Sequence, residues 1–209
     1  MDTQPTKDTD PFAHYTIYAD GSRVVQSTAP ATINRSVTLA DLRAGQRVLE
    51  IGTGSGYSTA QLARAVGPMG HVVSVDVNEG LVERARGLLG ADGFDNVELV
   101  CQDARAGLPA GPPFDRVLAW ATAPGVPERW LTRTRHGGLL VLPVAVAPIS
   151  GAAAVARVRW TGTAPVVEQL VAGVYVPLHG VTSTGVAEPD AHAEVTWRTE
   201  PHGDWTTIG

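Results

Sequence analysis

Short apolar runs punctuated by turn residues recur through the middle of the chain. Residues 47–51 (Arg-Val-Leu-Glu-Ile), 71–76 (His-Val-Val-Ser-Val-Asp), 97–102, 115–120 and 139–144 each have the length and bounding turn residues of a buried strand. Between them, apolar positions repeat at helical spacing. One helix is predicted from residue 31 to about 42, and another over 58–65, with Leu62, Ala63 and Val66 on one side and Gly67-Pro68 as its stop. A third covers 79–89 with Leu81, Ala85, Leu88 and Leu89 inward, and a fourth covers 127–135, closed by Gly137-Gly138. Strands alternating with helices over short loops make a parallel, doubly wound sheet. After Val144 the pattern changes. Residues 154–160 and 166–171 flank Thr161-Gly-Thr-Ala-Pro165 with no helix between, which predicts an antiparallel hairpin on the sheet edge. The expected fold is α/β and Rossmann-like: a mostly parallel seven-stranded sheet with a C-terminal antiparallel hairpin. Residues 1–13 read as a flexible polar arm, 14–178 as one domain, and 179–209 as an extension whose Trp197 and Trp205 are expected to pack.

Composition narrows the class. A chain of 209 residues with 44% apolar content fits one domain with a real core. Its net charge of −5 is spread without a basic stripe, so no nucleic-acid partner is expected. No apolar run reaches membrane-spanning length, and the polar start is unlike a signal peptide. The single Cys101 fits a reducing, cytoplasmic setting and is expected as a buried small hydrophobe in the third strand. The six histidines lack metal-ligand spacing, and His136 is placed at a helix end, where it would complement the dipole. Oligomeric state is not legible.

Candidate chemistry begins where the first strand ends. Glu50-Ile-Gly52-Thr53-Gly54-Ser55-Gly56 joins that strand to the next helix, and its alternate glycines let the backbone turn tightly and approach a ligand. Asp76 ends the second strand, where a carboxylate can accept from both hydroxyls of a ribose, and Asp103 follows the third, followed in turn by Ala104. These positions share the carboxyl ends of parallel strands, where open α/β sheets bind ligands. A nicotinamide dehydrogenase would space its glycines as GxGxxG. The acid before the glycines and the reversed edge hairpin favour a class I methyltransferase binding S-adenosylmethionine, an analogy at the level of fold. The cofactor set is then Glu50, Gly52, Thr53, Gly54, Ser55, Gly56, Asp76, Asp103 and Ala104.

From residue 15 to 178 the chain resembles the protein-L-isoaspartate O-methyltransferases. Val48-Leu-Glu-Ile-Gly-Thr-Gly-Ser-Gly-Tyr57 matches the family's first motif. Phe114-Asp-Arg-Val117, Ala123-Pro124, Gly137-Gly138, Val141-Leu-Pro143 and Tyr175-Val-Pro-Leu178 recur in family order. Upstream, Gln26-Ser27-Thr28-Ala29-Pro30 resembles the Thr-Ile-Ser-x-Pro substrate loop, with Thr28 in place of the substrate-side Ser. The resemblance implies a peptide or protein carboxylate as acceptor, Thr28 as the orienting hydroxyl, and Ser27, Thr28, Pro30 and Tyr175 as substrate contacts. The chain differs from the family in a shorter N-terminal region, Ala104 for Gly, Trp120 where smaller residues are usual, and an unmatched tail. Those differences keep two alternatives open: a tailoring enzyme that methylates Asp of a ribosomally made peptide, and a small-molecule methyltransferase with Trp120 closing an aromatic pocket. A carboxylate acceptor, with a pKa of about 4, is already ionised and needs no general base, and no base constellation stands beside the glycine loop.

Overall fold

The computed structural model describes residues 15–17, 23–25, 28, 30–145, 153–173 and 178. Its elements are β1 (Tyr15–Ile17), β2 (Arg23–Val25), α1 (Pro30–Ala40), β3 (Arg47–Ile51), α2 (Tyr57–Val66), β4 (His71–Asp76), α3 (Glu79–Ala91), β5 (Val97–Cys101), β6 (Phe114–Ala119), α4 (Glu128–Thr132), β7 (Thr134–Ala145), β8 (Ala153–Trp160) and β9 (Pro165–Ala172). The main sheet has seven strands in the order β5-β4-β3-β6-β7-β8-β9. The first five pair in parallel, and β8 and β9 join antiparallel, as the hairpin pattern predicted. A separate antiparallel pair, β1 with β2, precedes the domain core and has too few residues for a readable period.

The parallel strands are near-continuously apolar because both sheet faces are covered. Leu49, Ile51, Val73, Val75, Val117, Leu140 and Leu142 pack on one side with Trp130 and Leu131 of α4. Val48, Val72, Leu118 and Val141 pack on the other with Ile33 and Leu39 of α1 and Leu62 and Val66 of α2. Glu50, Ser74 and Trp120 share the parity of Val48, Val72 and Leu118, so period-two alternation sends all three toward this second face.

The fourth helix is shorter than its sequence pattern, ending at Thr132, and β7 begins two residues later. Gly137 and Gly138 therefore lie inside a strand rather than closing a helix. They sit where the β6–β7 register slips between Phe114 and Arg116, a bulge. Gly137 takes φ 76°, and a Cβ on Gly138 would fall 2.5 Å from the Thr134 methyl and 2.9 Å from the Arg135 carbonyl oxygen. His136 accordingly belongs to the bulged strand, and no helix end faces it as expected.

Helix α1 is held from its far end. The buried Arg116 guanidinium donates to the carbonyls of Ala40 (2.5 Å) and Asp41 (3.0 Å), and Arg157 donates to that of Leu39 (2.6 Å). These bonds satisfy carbonyls that a helix C-terminus leaves unpaired, with cations at the negative end of the dipole. Arg35 donates to the carbonyl of Ala172. Arg157 stands opposite Val141, whereas Ala172 aligns through Ala154 with Val144. Going from Leu39 back to Arg35 thus moves toward the carboxyl end of β7. The N-terminus of α1 points to the same edge as the glycine loop.

Candidate active site

Residues 52–56 carry β3 into α2 with Gly52, Gly54 and Gly56 at φ 97°, 52° and 84°. Positive φ disfavours any side chain bearing Cβ. Close packing adds a second constraint at Gly56, where a Cβ would meet that of Ala85 in α3 at 3.1 Å. Asp76 closes the other side. Its Oδ2 accepts from the Gly54 N–H at 2.9 Å and its Oδ1 from the Asn78 N–H at 3.0 Å. Each oxygen has one protein donor and keeps a further acceptor direction, so the half-buried carboxylate suits a pair of hydroxyls. Asp103 lies on the neighbouring strand's exit. Its Oδ1 accepts from the backbone N–H of Arg105 at 2.9 Å and from Nε at 3.3 Å, and its Oδ2 accepts from Nη2 at 3.2 Å. One acceptor direction on Oδ2 is left. Ala104 is buried, and its carbonyl accepts from the Trp130 indole at 3.1 Å.

Glu50, expected among the cofactor ligands, is instead sealed beneath the loop with no solvent exposure. Its Oε1 accepts from Ser58 (2.5 Å) and the Trp120 indole (2.7 Å), and its Oε2 from Thr59 (2.5 Å) and Ser74 (2.7 Å). Both oxygens are fully subscribed, which removes this residue from the ligand set. Burial pushes the carboxyl above its ordinary range, while the bonds from Ser58, Ser74, Thr59 and Trp120 pull it down. The side chains of Thr53 and Ser55 are also buried. Thr53 Oγ1 lies 2.6 Å from Ser74 Oγ. Ser74 spends its single proton on Glu50, so Thr53 is the donor in that contact.

Trp120 is buried, with its indole N–H donating to Glu50 beneath the loop. Cys101 is in its predicted strand but is exposed, because the sheet order puts β5 at an edge. Thr28 is half-buried and lies two residues before Pro30, the first residue of α1. A capping residue stands one position before the helix, so Thr28 is not the cap, and Pro30 occupies the favoured first helical position. Ser27 and Tyr175 lie outside the described residues. The segment after β9 does return to the site's edge: the Leu178 N–H donates to the Thr122 carbonyl at 2.8 Å, just past β6. Sequence reasoning missed Arg105 as a partner of Asp103, and Ser58, Thr59 and Ser74 as partners of Glu50. Ser74 was nonetheless visible as the one polar residue inside an apolar run.

A glycine loop after the first parallel strand, an acid after the second and a reversed edge hairpin define a Rossmann-like methyltransferase domain. Its sequence gives the family: residues 9–183 match the model of protein-L-isoaspartate(D-aspartate) O-methyltransferase, and the chain belongs to that family. The protein-L-isoaspartate O-methyltransferase of Ignicoccus hospitalis is 38% identical over 151 residues, covering 72% of this chain and 71% of its own. That of Anaeromyxobacter dehalogenans is 50% identical over 104 residues, 49% of this chain and 48% of its own. The chain thus spans about half the length of some relatives and more of others. A solved protein-L-isoaspartate O-methyltransferase superposes with TM-score 0.69 at 25% identity, covering 80% of this chain and 52% of that one. The fold is shared with a Plasmodium falciparum structure described as a putative protein-L-isoaspartate O-methyltransferase in complex with S-adenosyl-L-homocysteine, TM-score 0.64 at 18% identity, covering 78% of this chain and 79% of that one.

Proposed function

We propose that the chain transfers a methyl group from S-adenosylmethionine to the carboxylate of an isoaspartyl residue in a peptide or protein. The family match over residues 9–183 carries this reading, and the geometry of the site supports it. The glycine loop and Asp76 offer what an adenosyl ligand needs: half-exposed backbone without side chains at Gly52 and Gly54, and acceptor directions on Asp76 for ribose hydroxyls. Asp103 offers one acceptor direction to the exocyclic amine of adenine.

S-adenosylmethionine supplies an activated methyl group when bound. The protein's task is to hold an acceptor oxygen in line and keep water out. An isoaspartyl α-carboxylate is ionised at neutral pH, so no residue has to remove a proton. Thr28, carried to the loop's edge of the sheet by α1, donates its hydroxyl to the non-attacking carboxylate oxygen and orients the other. Methylation turns that carboxylate into an ester whose methoxide can leave, taking up the amide proton as methanol. The next backbone nitrogen can then displace methoxide and close a succinimide.

The test is radiolabelled methyl transfer to matched isoaspartyl and aspartyl peptides, read by base-lability and by mass. Base-labile label on the isoaspartyl peptide is the expected result. Label confined to the aspartyl peptide would point to tailoring of normal Asp, and base-stable label on a metabolite to a small-molecule enzyme. Either would refute the proposal.

A further inference from the structure

We propose that Trp120 is a positioning residue of the cofactor site, setting the conformation of Gly52–Gly56 through Glu50. This rests on the reading that the loop and Asp76 hold the cofactor.

The observations form one chain of bonds. The Trp120 indole donates to Glu50 Oε1 at 2.7 Å, Ser74 donates to Glu50 Oε2 at 2.7 Å, and Thr53 of the loop meets Ser74 at 2.6 Å. Trp120 also touches the loop directly. Its backbone N–H donates to the Ile51 carbonyl at 3.0 Å, and a Cβ on Gly52 would lie 3.5 Å from the Trp120 Cβ. The donors around Glu50 are unequal. Ser58, Thr59 and Ser74 are hydroxyls, which rotate and either donate or accept, whereas an indole only donates. Trp120 is therefore the group that fixes the polarity of the network. While it donates, Glu50 receives, Ser74 points its proton inward, and the Thr53 hydroxyl is committed to Ser74. Without it, Oε1 retains Ser58 alone in a site closed to water. Glu50 then gains by taking a proton and donating it to a neighbour. If Ser74 receives that proton, its hydroxyl turns outward and donates to Thr53, so the bond that holds the loop is reversed and the Thr53 proton must find another acceptor.

The perturbation is Trp120→Phe, which keeps a ring under Gly52 and removes the N–H. When this reversal leaves the competent loop about a tenth populated, apparent affinity falls about tenfold. Calorimetry with S-adenosylhomocysteine should show that loss in folded protein. In steady state, the KM for S-adenosylmethionine should rise by a similar factor, with kcat at saturating cofactor and the acceptor KM unchanged. A purely structural role would lower the melting temperature and leave the affinity of the folded fraction alone. In a Glu50→Gln background the lost bond is to a neutral acceptor, roughly half as strong, so Trp120→Phe should then cost about threefold.

Should Trp120→Phe fail to fold, Ser74→Ala cuts the same chain at its other end and should weaken binding likewise. Affinity within twofold of the parent, in either folded variant, overturns the proposal while leaving the cofactor reading intact. A parent that binds no S-adenosylhomocysteine overturns both.

Discussion

Replacing Glu50 with Gln and with Leu should give sharply different proteins, although both changes remove the same charge. Glu50 is wholly buried and receives four hydrogen bonds, two on each oxygen. Leucine receives none. Ser74 can still bond Thr53, but the indole N–H of Trp120 has no other use, and Ser58 and Thr59 must turn back on the first turn of α2. With two or three donors orphaned, at about 1–3 kcal/mol each, the cost is roughly 3–8 kcal/mol. Against a total stability of about 5–15 kcal/mol, Glu50→Leu should be unfolded or barely folded at room temperature. Glutamine escapes most of this. Its amide oxygen faces Ser58 and Trp120, which still donate. Its NH2 faces Thr59 and Ser74, whose hydroxyls reverse and accept. The cost left is the rearrangement at Thr53, about 1–2 kcal/mol.

Urea denaturation followed by circular dichroism separates the two. A Glu50→Leu variant within 1 kcal/mol of the parent, or a Glu50→Gln variant as unstable as Glu50→Leu, would refute this account of the network. The pH dependence carries a sign. Burial holds the folded-state carboxyl above its unfolded value of about 4.3, so the folded state binds this proton more tightly. The stability linked to Glu50 is then present below the unfolded value and is lost as pH rises through the folded one. Glutamine has nothing to titrate. The parent's advantage over Glu50→Gln should therefore shrink from acid toward neutral pH.

Three further outcomes are open to measurement. Asp76→Ala should weaken S-adenosylhomocysteine binding about tenfold or more by calorimetry, since it removes acceptors for a charge-assisted pair of hydrogen bonds and the Gly54 partner together; unchanged affinity would place the ribose elsewhere. Thr28→Val should cut kcat/KM for the isoaspartyl peptide by about one to two orders of magnitude with cofactor affinity kept, and Thr28→Ser should restore it, whereas a valine variant as fast as the parent would move the acceptor site. At the edge hairpin, burial works to raise the Glu168 carboxyl, but bonds and charge from Arg157 and Arg159 outweigh it and hold it below its usual value; its stabilisation is present above the unfolded value and lost as pH falls through the folded one, so the urea midpoints of parent and Glu168→Gln should converge as pH falls below the ordinary carboxylate range.

Much of the fold was legible because burial on both sheet faces leaves strands as apolar runs that nothing else in a soluble chain resembles. The errors have equally physical sources. A glycine pair after a helical stretch looks the same whether it ends the helix or makes a bulge, and Gly137-Gly138 make the bulge. Cys101 was assigned to its strand but not to the surface, because exposure depends on which strand takes the edge, a property of sheet order rather than local sequence. Glu50 was read as a ligand because it adjoins the glycines. Alternation could have corrected this: Glu50 shares the parity of Val48, which faces the helices, and its register partner on β4 is the polar Ser74. Arg105 gave no advance sign, since an exposed arginine after a strand is the usual case.

The two halves of the site hang from different anchors, and this bears on how acceptor preference is set. The cofactor half is fixed from within the sheet: Glu50 of β3, Ser74 of β4 and Trp120 after β6 converge under the glycine loop. The acceptor half, as proposed, depends on α1, whose fixed points are elsewhere. Arg116 and Arg157 grip its last carbonyls from β6 and β8, and Arg35 ties its middle to β9. Arg157 also pairs with Glu168 on β9, so one side chain links the edge hairpin to the end of α1. No bond in the Glu50 network involves a residue of α1 or of β8 and β9. Among the described residues the acceptor side therefore meets the loop's support through packing, not hydrogen bonds: Trp120 shares an apolar cluster with Ile33 and Leu39 of α1 and Val155 of β8. Changes in α1 or the edge hairpin that keep this packing can alter specificity and leave the bonds under the glycine loop in place, because among the described residues no bond of that network comes from α1, β8 or β9.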